Sequence, residues 1–299
     1  AFFRTVADGM DQYLDYALGH NPKNRMPLWV KPRTKVSPKT VFDGMRDHYE
    51  GTPIDLRKDL GAGGHNCPYR WRPMTFEVDG VEYTNERATA TQQTGFWFVA
   101  QARPQLPDDM GILWFGVDDA ATSCLTPIYC CSTEVPECLS LDNGSMLDYS
   151  PTSAFWLFNR VTNFAYMRYD MIEADIRKVV DEWENGMLDR VRQVDACLFT
   201  QSEKSRRKTL TAFSVATAQE LFDRWSKLDK YLLLKYMDGN VKSEHADVLA
   251  YLDGEGGPAH FVDNGNGKQI PGKIQFPGYN EKWKRAVAAD NGEILKVVK

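Results

Sequence analysis

The clearest indication of the fold comes from residues 86–131, ERATATQQTGFWFVAQARPQLPDDMGILWFGVDDAATSCLTPIYCC. It reads as two long apolar strands joined by a polar turn at 104–110. Near-continuous apolar strands are usually covered on both faces, so this hairpin predicts the middle of a layered domain. A hairpin returns to where it started, so Arg87 before the first strand and Asp118 and Asp119 after the second lie at one end. That end is where we expect the chemistry.

The segments before the hairpin carry clear local signals. Apolar residues at helical spacing predict one helix over 1–20, and Ser37–Pro38 is an N-cap followed by proline at the first helical position. Segment 50–72 is rich in Gly, Pro and Asn, which predicts a long irregular loop. The Asp79–Gly80 turn predicts a β-hairpin over 75–83.

The second half of the chain has helical periodicity. Apolar residues at i+3 and i+4 steps predict an amphipathic helix over 165–183, with the pattern continuing to Leu198, and another helix over 210–232. A short helix is expected near 279–289. Strands followed by helices indicate an α+β fold.

Composition excludes several classes of protein. With 36 Lys and Arg against 41 Asp and Glu, the formal net charge is −5, which disfavours nucleic acid as a partner. No apolar stretch is long enough to predict a membrane span. Four of the six cysteines fall between positions 124 and 138, and Cys130 and Cys131 are expected to point to opposite faces. Their spacing favours buried thiols over a metal site, so no metal is predicted.

The residues alone allow more than one interpretation of the candidate site residues. Gly-rich residues 61–64 lack the strand and spacing of a nucleotide-binding fingerprint. His48, His65 and Cys67 are either metal ligands or, as we favour, hydrogen-bonded loop residues. Arg87 either stabilises an anion, such as a thiolate or an oxyanion, or forms a salt bridge with a neighbouring glutamate, Glu82 or Glu86. Asp118 and Asp119 are adjacent in sequence, and strand alternation predicts that one of them is structural.

Four motifs carry a resemblance to a known family. They are MRDHYEGTPID at 45–55, PYRWRP at 68–73, NERATATQQTGF at 85–96 and LWFGVDDAATSCLTPIY at 113–129. Over most of its length the chain resembles the bacterial cysteine-nucleophile dipeptidases, which are N-terminal-nucleophile (Ntn) hydrolases.

The resemblance implies a mechanism and a fold. An N-terminal Cys would attack the amide of a dipeptide, with its own α-amino group as the base. The fold would be a four-layer α-β-β-α sandwich, and no metal or organic cofactor would be needed. Arg87 matches the arginine that sits beside the nucleophile. We place substrate contacts at His48, Tyr49, Asp118 and Asp119.

The chain departs from this pattern in beginning with Ala1 inside a helical pattern. We therefore expect it to be the C-terminal part of the enzyme, partnered by the N-terminal part of the same precursor that carries the nucleophilic Cys. Residues 1–150 would then belong to the α/β core with its inserted loop, and 151–299 would form a helical outer layer and C-terminal tail on that core. A homo-oligomer is possible, and a periplasmic or secreted location is favoured over a cytoplasmic one.

Two other functions stay open. The chain could be a non-catalytic binding or scaffold domain derived from such an enzyme. Alternatively, an internal cysteine, with Cys67 in the loop as the candidate, could act together with His48 or His65.

Overall fold

The computed structural model describes residues 2–242, 247–255, 261–263, 269–271, 274–292, 294 and 296–297 of the chain. Its α-helices are α1 (Phe2–Val6), α2 (Leu14–Ala17), α3 (Pro38–Met45), α4 (Ala154–Met167), α5 (Tyr169–Leu198), α6 (Glu203–Tyr236), α7 (Val248–Leu252) and α8 (Glu281–Asn291). Its strands are β1 (Thr75–Val78), β2 (Val81–Thr84), β3 (Phe96–Gln101), β4 (Ile112–Val117), β5 (Thr126–Tyr129), β6 (Val241–Lys242), β7 (Phe261–Asp263), β8 (Gln269–Pro271) and β9 (Ile274–Gln275). This mixture of helices and strands is the α+β class that the sequence predicts.

A three-stranded antiparallel sheet in the order β3-β4-β5 lies at the centre of the described structure. Strands β3 and β4 form the predicted hairpin, with Phe96 opposite Val117 and Gln101 opposite Ile112. The loop between them contains one turn of 3-10 helix, Asp108–Met110. The hairpin prediction is therefore confirmed.

The coverage of this sheet differs from strand to strand. The ring of Trp114 on β4 packs against Phe42 of α3 at 5.2 Å between centroids, and Phe115 faces residues of α4 and α6 on the other side. Strand β4 is thus covered on both faces, as its apolar run predicts. Strand β3 is an edge strand of the described sheet, and Phe96 and Phe98 are 61% and 50% exposed. Within the described residues the hairpin is therefore covered on both faces at β4 but not at β3.

Two long helices, α5 and α6, form the largest part of the hydrophobic core. Both contact β5, and α6 also packs against α4. Gly186 lies within α5 without ending it, and the basic run 204–208 lies inside α6. One cluster of buried side chains joins residues of the sheet to those of α3, α4, α5, α6 and α7. Among the described helices, none combines the length and the apolar character needed to cross a membrane.

A buried ion pair fastens the end of α3 to α5. The guanidinium of Arg46 donates to both carboxylate oxygens of Glu184, at 2.5 and 3.0 Å, and to the carbonyls of Ala120 at 2.9 Å and Ser123 at 3.1 Å. Both side chains are almost completely buried. Glu184 lies in α5, and the two carbonyls lie in the connection between β4 and β5. Arg46 therefore holds the end of α3, the helix α5 and this connection together.

The N-terminal segment corrects one prediction and the next helix confirms another. The single helix expected over 1–20 is broken, because Gly9 adopts a left-handed conformation with φ of 73° between α1 and a 3-10 turn. In contrast, the backbone N–H of Thr40 donates to the hydroxyl of Ser37 at 3.1 Å, which is the predicted N-cap of α3.

The predicted hairpin near 75–83 is present as β1 and β2. Asp79 and Gly80 both have positive φ, at 53° and 78°, as the tight turn requires. Every residue of both strands is exposed. The hairpin thus projects from the body of the protein.

Candidate active site

The segment that carries Arg87 is fixed through its backbone. The hydroxyl of Tyr49 donates to the carbonyl of Arg87 at 2.8 Å. The backbone N–H groups of Thr89 and Ala90 donate to the carbonyl of Asp47 at 3.2 and 3.3 Å. Three hydrogen bonds between residues 47–49 and residues 87–90 therefore hold the chain that leads from Arg87 into β3.

The side chain of Arg87 is exposed at the surface. Among the ion pairs of the described residues, none joins its guanidinium to Glu82 or Glu86, the two partners that the sequence left open. Its side chain lines a surface cavity together with Tyr49. The backbone of Arg87 is fixed, and its guanidinium has no ion-pair partner among the described residues. Such a guanidinium can bind an anion that is not part of these residues, such as a thiolate or a substrate oxyanion.

His48 is buried behind this segment and has polar neighbours. Its Nδ1 lies 3.5 Å from the Glu50 carboxylate and 3.5 Å from the hydroxyl of Tyr169, whose ring meets the imidazole edge-on at 5.9 Å between centroids. The carbonyl of His48 also accepts from the N–H of Leu56 at 3.1 Å. In the described structure the contacts of the buried His48 with Glu50 and Leu56 hold the loop 48–56 in place.

Glu50 is held in its charged form by these contacts. Burial raises the pKa of its carboxyl, but hydrogen bonds from the side chain and backbone of His48 outweigh burial, and the pKa falls to about 2. The pKa of the neighbouring Asp47 is raised, first by burial and then by its contact with Glu50. The loop therefore keeps a fixed negative charge beside His48.

Tyr49 has an unusual backbone conformation for its residue type. Its φ of 64° lies in the left-handed region, which a bulky residue rarely adopts. Its N–H donates to the Asp47 carboxylate at 2.7 Å, which supports this turn. The turn directs the hydroxyl to the Arg87 carbonyl.

Asp118 and Asp119 are both fully buried, and both bind to α4. The side chain of Asn159 donates to Asp118 at 2.6 Å, and the hydroxyl of Tyr166 donates to Asp119. Strand alternation does not apply to them, because β4 ends at Val117 and Asp118 has a φ of 68°. Burial raises the pKa of Asp118 to about 6. Both carboxylates are engaged by protein donors, and their contact with substrate stays a prediction.

The structure divides the five predicted site residues into two groups. Tyr49 and Arg87 meet at the surface cavity. His48 and Asp119 belong to a buried aromatic cluster, in which the rings of Tyr166 and Tyr169 stack at 6.0 Å and join the two. Asp118 lies beside Asp119 in sequence and donates its N–H to the carbonyl of Gly95 at 3.0 Å, which closes the open end of the β3–β4 hairpin.

Sequence reasoning missed the partners that α4 supplies. Asn159 and Tyr166 are seven residues apart, two helical turns, and therefore lie on one face. This spacing indicates that the two polar side chains lie on one face of α4. No pattern in the sequence indicates that this face contacts the residues that follow β4.

The prediction of buried thiols holds for Cys124, Cys131 and Cys138 and is wrong for Cys130 and Cys197, which are exposed. Strand alternation does not apply to Cys130 and Cys131, because β5 ends at Tyr129. Burial raises the pKa of the Cys67 thiol, which disfavours the thiolate that a nucleophile needs. Within the described ranges no group of three or more His, Cys, Asp or Glu side chains is placed to hold a metal ion.

Comparison with known families agrees with the motifs at this site. The model of peptidase family C69 matches residues 9–182, more than half of the chain. The match includes Arg87 and the whole of the central sheet. No curated protein matches the chain.

The chain belongs to peptidase family C69. It is thus a member of a family of cysteine peptidases of the Ntn dipeptidase type, which confirms the resemblance seen in its motifs, and it falls among the peptide hydrolases.

Proposed function

We propose that this chain is the C-terminal part of a cysteine dipeptidase whose nucleophilic N-terminal Cys is supplied by the preceding part of the same precursor. The thiol of that Cys attacks the amide carbonyl of a dipeptide, and its α-amino group takes the thiol proton and returns a proton to the leaving amine. The resulting thioester is then hydrolysed by water. No step needs a metal or an organic cofactor.

The observation that carries this proposal is the state of Arg87. Its backbone is held by Tyr49 while its guanidinium is exposed and has no ion-pair partner in the described part of the chain. A guanidinium in that state stabilises the negative charge of the thiolate and of the oxyanion that forms during attack. A purely structural arginine would instead be expected to resemble Arg46, which is buried and fully engaged.

The open edge of the sheet supports the missing partner. Strand β3 has an unpaired edge within the described sheet, and Phe96 and Phe98 expose apolar rings beside it. Exposed apolar edges are usually covered in native proteins. We propose that the N-terminal part adds strands here and supplies the second sheet of a four-layer α-β-β-α sandwich.

Two measurements test the proposal. Intact-mass analysis and N-terminal sequencing of the native protein should find a co-assembled polypeptide that begins with Cys. In that assembled enzyme, Arg87→Ala should lower kcat/KM for dipeptides about 10²- to 10³-fold, with an unchanged unfolding midpoint.

The matched control is Arg72→Ala, which removes another exposed arginine of the same half of the chain. It should leave kcat/KM unchanged. Full activity of Arg87→Ala would refute the role of this residue. A single folded species that starts at Ala1 and is inert toward dipeptides would favour a non-catalytic binding or scaffold domain.

A further inference from the structure

The cavity beside Arg87 has the size and lining of a small-molecule site. Its volume is about 380 Å³, within the range of ligand pockets in proteins. It lies between the N-terminal helical segment and the loop that contains Tyr49. Its apolar lining consists of Met10, Leu14, Ala17, Met26 and Ile54.

Two acidic and two basic side chains line this cavity: Asp11, Glu86, Arg4 and Arg87. Asp11 is neutralised by Arg4, since the two side chains approach to 2.7 Å. Glu86 has no ion-pair partner among the described residues, and its charge acts on the Tyr49 hydroxyl: the pKa of Tyr49 is raised first by burial, then by Asp47 and then by Glu86. The carboxylate of Glu86 is therefore close to the wall that Tyr49 forms.

An apolar floor next to a carboxylate and a guanidinium that do not pair with each other, Glu86 and Arg87, is complementary to a particular ligand. That ligand carries an apolar side chain and a positively charged amino group on the same carbon atom. The N-terminal residue of a dipeptide combines these two features. An acidic side chain would meet the carboxylate unfavourably, and a blocked amino group would leave the carboxylate without a partner.

We infer that this cavity binds the N-terminal residue of the dipeptide, with an apolar side chain on the floor, the free ammonium group at Glu86 and the scissile amide next to Arg87. This inference rests on the proposed function and adds the substrate class to it. Dipeptides that begin with Leu or Met are preferred over those that begin with Gly or Asp. Dipeptides with an acetylated N-terminus are not substrates.

The first test measures kinetics of the assembled enzyme with Leu-Gly and Gly-Gly. Glu86→Gln keeps the shape of the side chain and removes its charge, so KM for Leu-Gly should rise about tenfold while kcat stays within about twofold. The matched control is Glu82→Gln, an exposed glutamate of β2 that is not part of the cavity lining. It should leave both constants unchanged.

A second variant fills the cavity. Ala17 is an exposed lining residue at the end of α2, so Ala17→Trp should narrow the cavity without disturbing the core. The ratio of kcat/KM for Leu-Gly over Gly-Gly should fall about tenfold, whereas Ala286→Trp, which adds the same side chain at an exposed alanine of α8 outside the cavity lining, should leave the ratio unchanged. The unfolding midpoint of each variant verifies that it is folded.

The outcomes separate this inference from the proposed function. An enzyme that cleaves dipeptides, with an unaltered KM in Glu86→Gln and an unaltered ratio in Ala17→Trp, overturns the inference and leaves the function intact. If no dipeptide is cleaved, the proposed function fails, and calorimetric titration with Leu-Gly decides the site. Binding that weakens in Glu86→Gln supports the inference, and no binding to the native protein overturns it.

Discussion

The two arginines Arg46 and Arg87 show how differently the two sides of this molecule use the same side chain. Arg46 is buried and donates four hydrogen bonds to groups from α5 and the connection after β4. Arg87 is held only through its carbonyl and leaves its guanidinium exposed. The first arrangement stabilises the fold, whereas the second keeps a positive charge available. We therefore expect substitutions near Arg46 to change stability, and substitutions near Arg87 to change activity.

The largest effect on stability should come from Glu184→Ala. It leaves the buried guanidinium of Arg46 without its carboxylate, and breaking a buried pair in this way costs about 3–5 kcal/mol. Chemical denaturation should show this as a lowered midpoint. The control Asp189→Ala removes an exposed carboxylate from the same helix and should change the free energy of unfolding by less than about 1 kcal/mol. Equal losses in the two variants would contradict the difference between core and surface.

The next effect is a dependence of stability on pH that arises from Asp118. Its pKa is about 6 in the folded protein against an ordinary value of 3.8, so the unfolded state releases this proton first as the pH rises. Its contribution is fully present below about pH 4 and is lost as the pH rises through 6, a change of about 3 kcal/mol.

Asp118→Asn removes this titration. Measured against the native protein, the variant should therefore gain relative stability between pH 4 and pH 7 in denaturant titrations. The pKa of Glu50 is lowered to about 2, so its contribution to the free energy of unfolding falls on acidification. This loss is the same in both proteins and cancels when the variant is compared with the native protein. A stability difference between the two proteins that stays constant over this range would show that Asp118 titrates normally.

A smaller effect on stability is expected from the hydrogen bond between Tyr49 and the segment that carries Arg87. Tyr49→Phe removes the hydrogen bond to the Arg87 carbonyl, which should cost about 1 kcal/mol of stability. Because the Arg87 segment loses one of its three ties, kcat/KM of the assembled enzyme should fall several-fold. Tyr83→Phe, which changes an exposed hydroxyl on β2, is the control. A loss of stability with no change in activity would mean that Tyr49 supports the loop alone.

The smallest effect should come from the exposed surface of the helices. Arg207 and Glu203 form an i,i+4 pair at 3.0 Å with both side chains more than half exposed. Arg207→Ala should change the unfolding free energy by no more than about 0.5 kcal/mol. A loss above 1 kcal/mol would show that this surface takes part in the core more than its exposure indicates.

Elements set by neighbouring residues could be predicted from the sequence. The Ser37 cap, the Asp79–Gly80 turn and the β3–β4 hairpin each depend on residues close in the chain, and each is present. The break before Gly9 shows the limit of periodicity, since the amphipathic pattern continues along the chain although α1 ends at Val6.

The site could be predicted only in part, because its contacts join distant residues. The motifs pointed to Arg87 and to the Asp118–Asp119 pair. The tie between Asp119 and Tyr166 and the pairing of Arg46 with Glu184 link residues 47 and 138 positions apart, and no local pattern encodes such a choice of partner. The catalytic role of Arg87, the roles of His48, Tyr49, Asp118 and Asp119 toward substrate, and the division of the chain near residue 150 stay predictions.

The ties between residues 47–49 and 87–90 also make the intervening segment a closed loop. The entropy of closing such a loop grows only slowly with its length, by about 0.6 kcal/mol for each doubling. The exposed turn at Asp79–Gly80 lies at the far end of this loop, so residues added there lengthen the loop without moving its base. The position of Arg87 therefore does not depend on how many residues are present at this turn. An affinity tag or a fluorescent label inserted there would leave the guanidinium where it is.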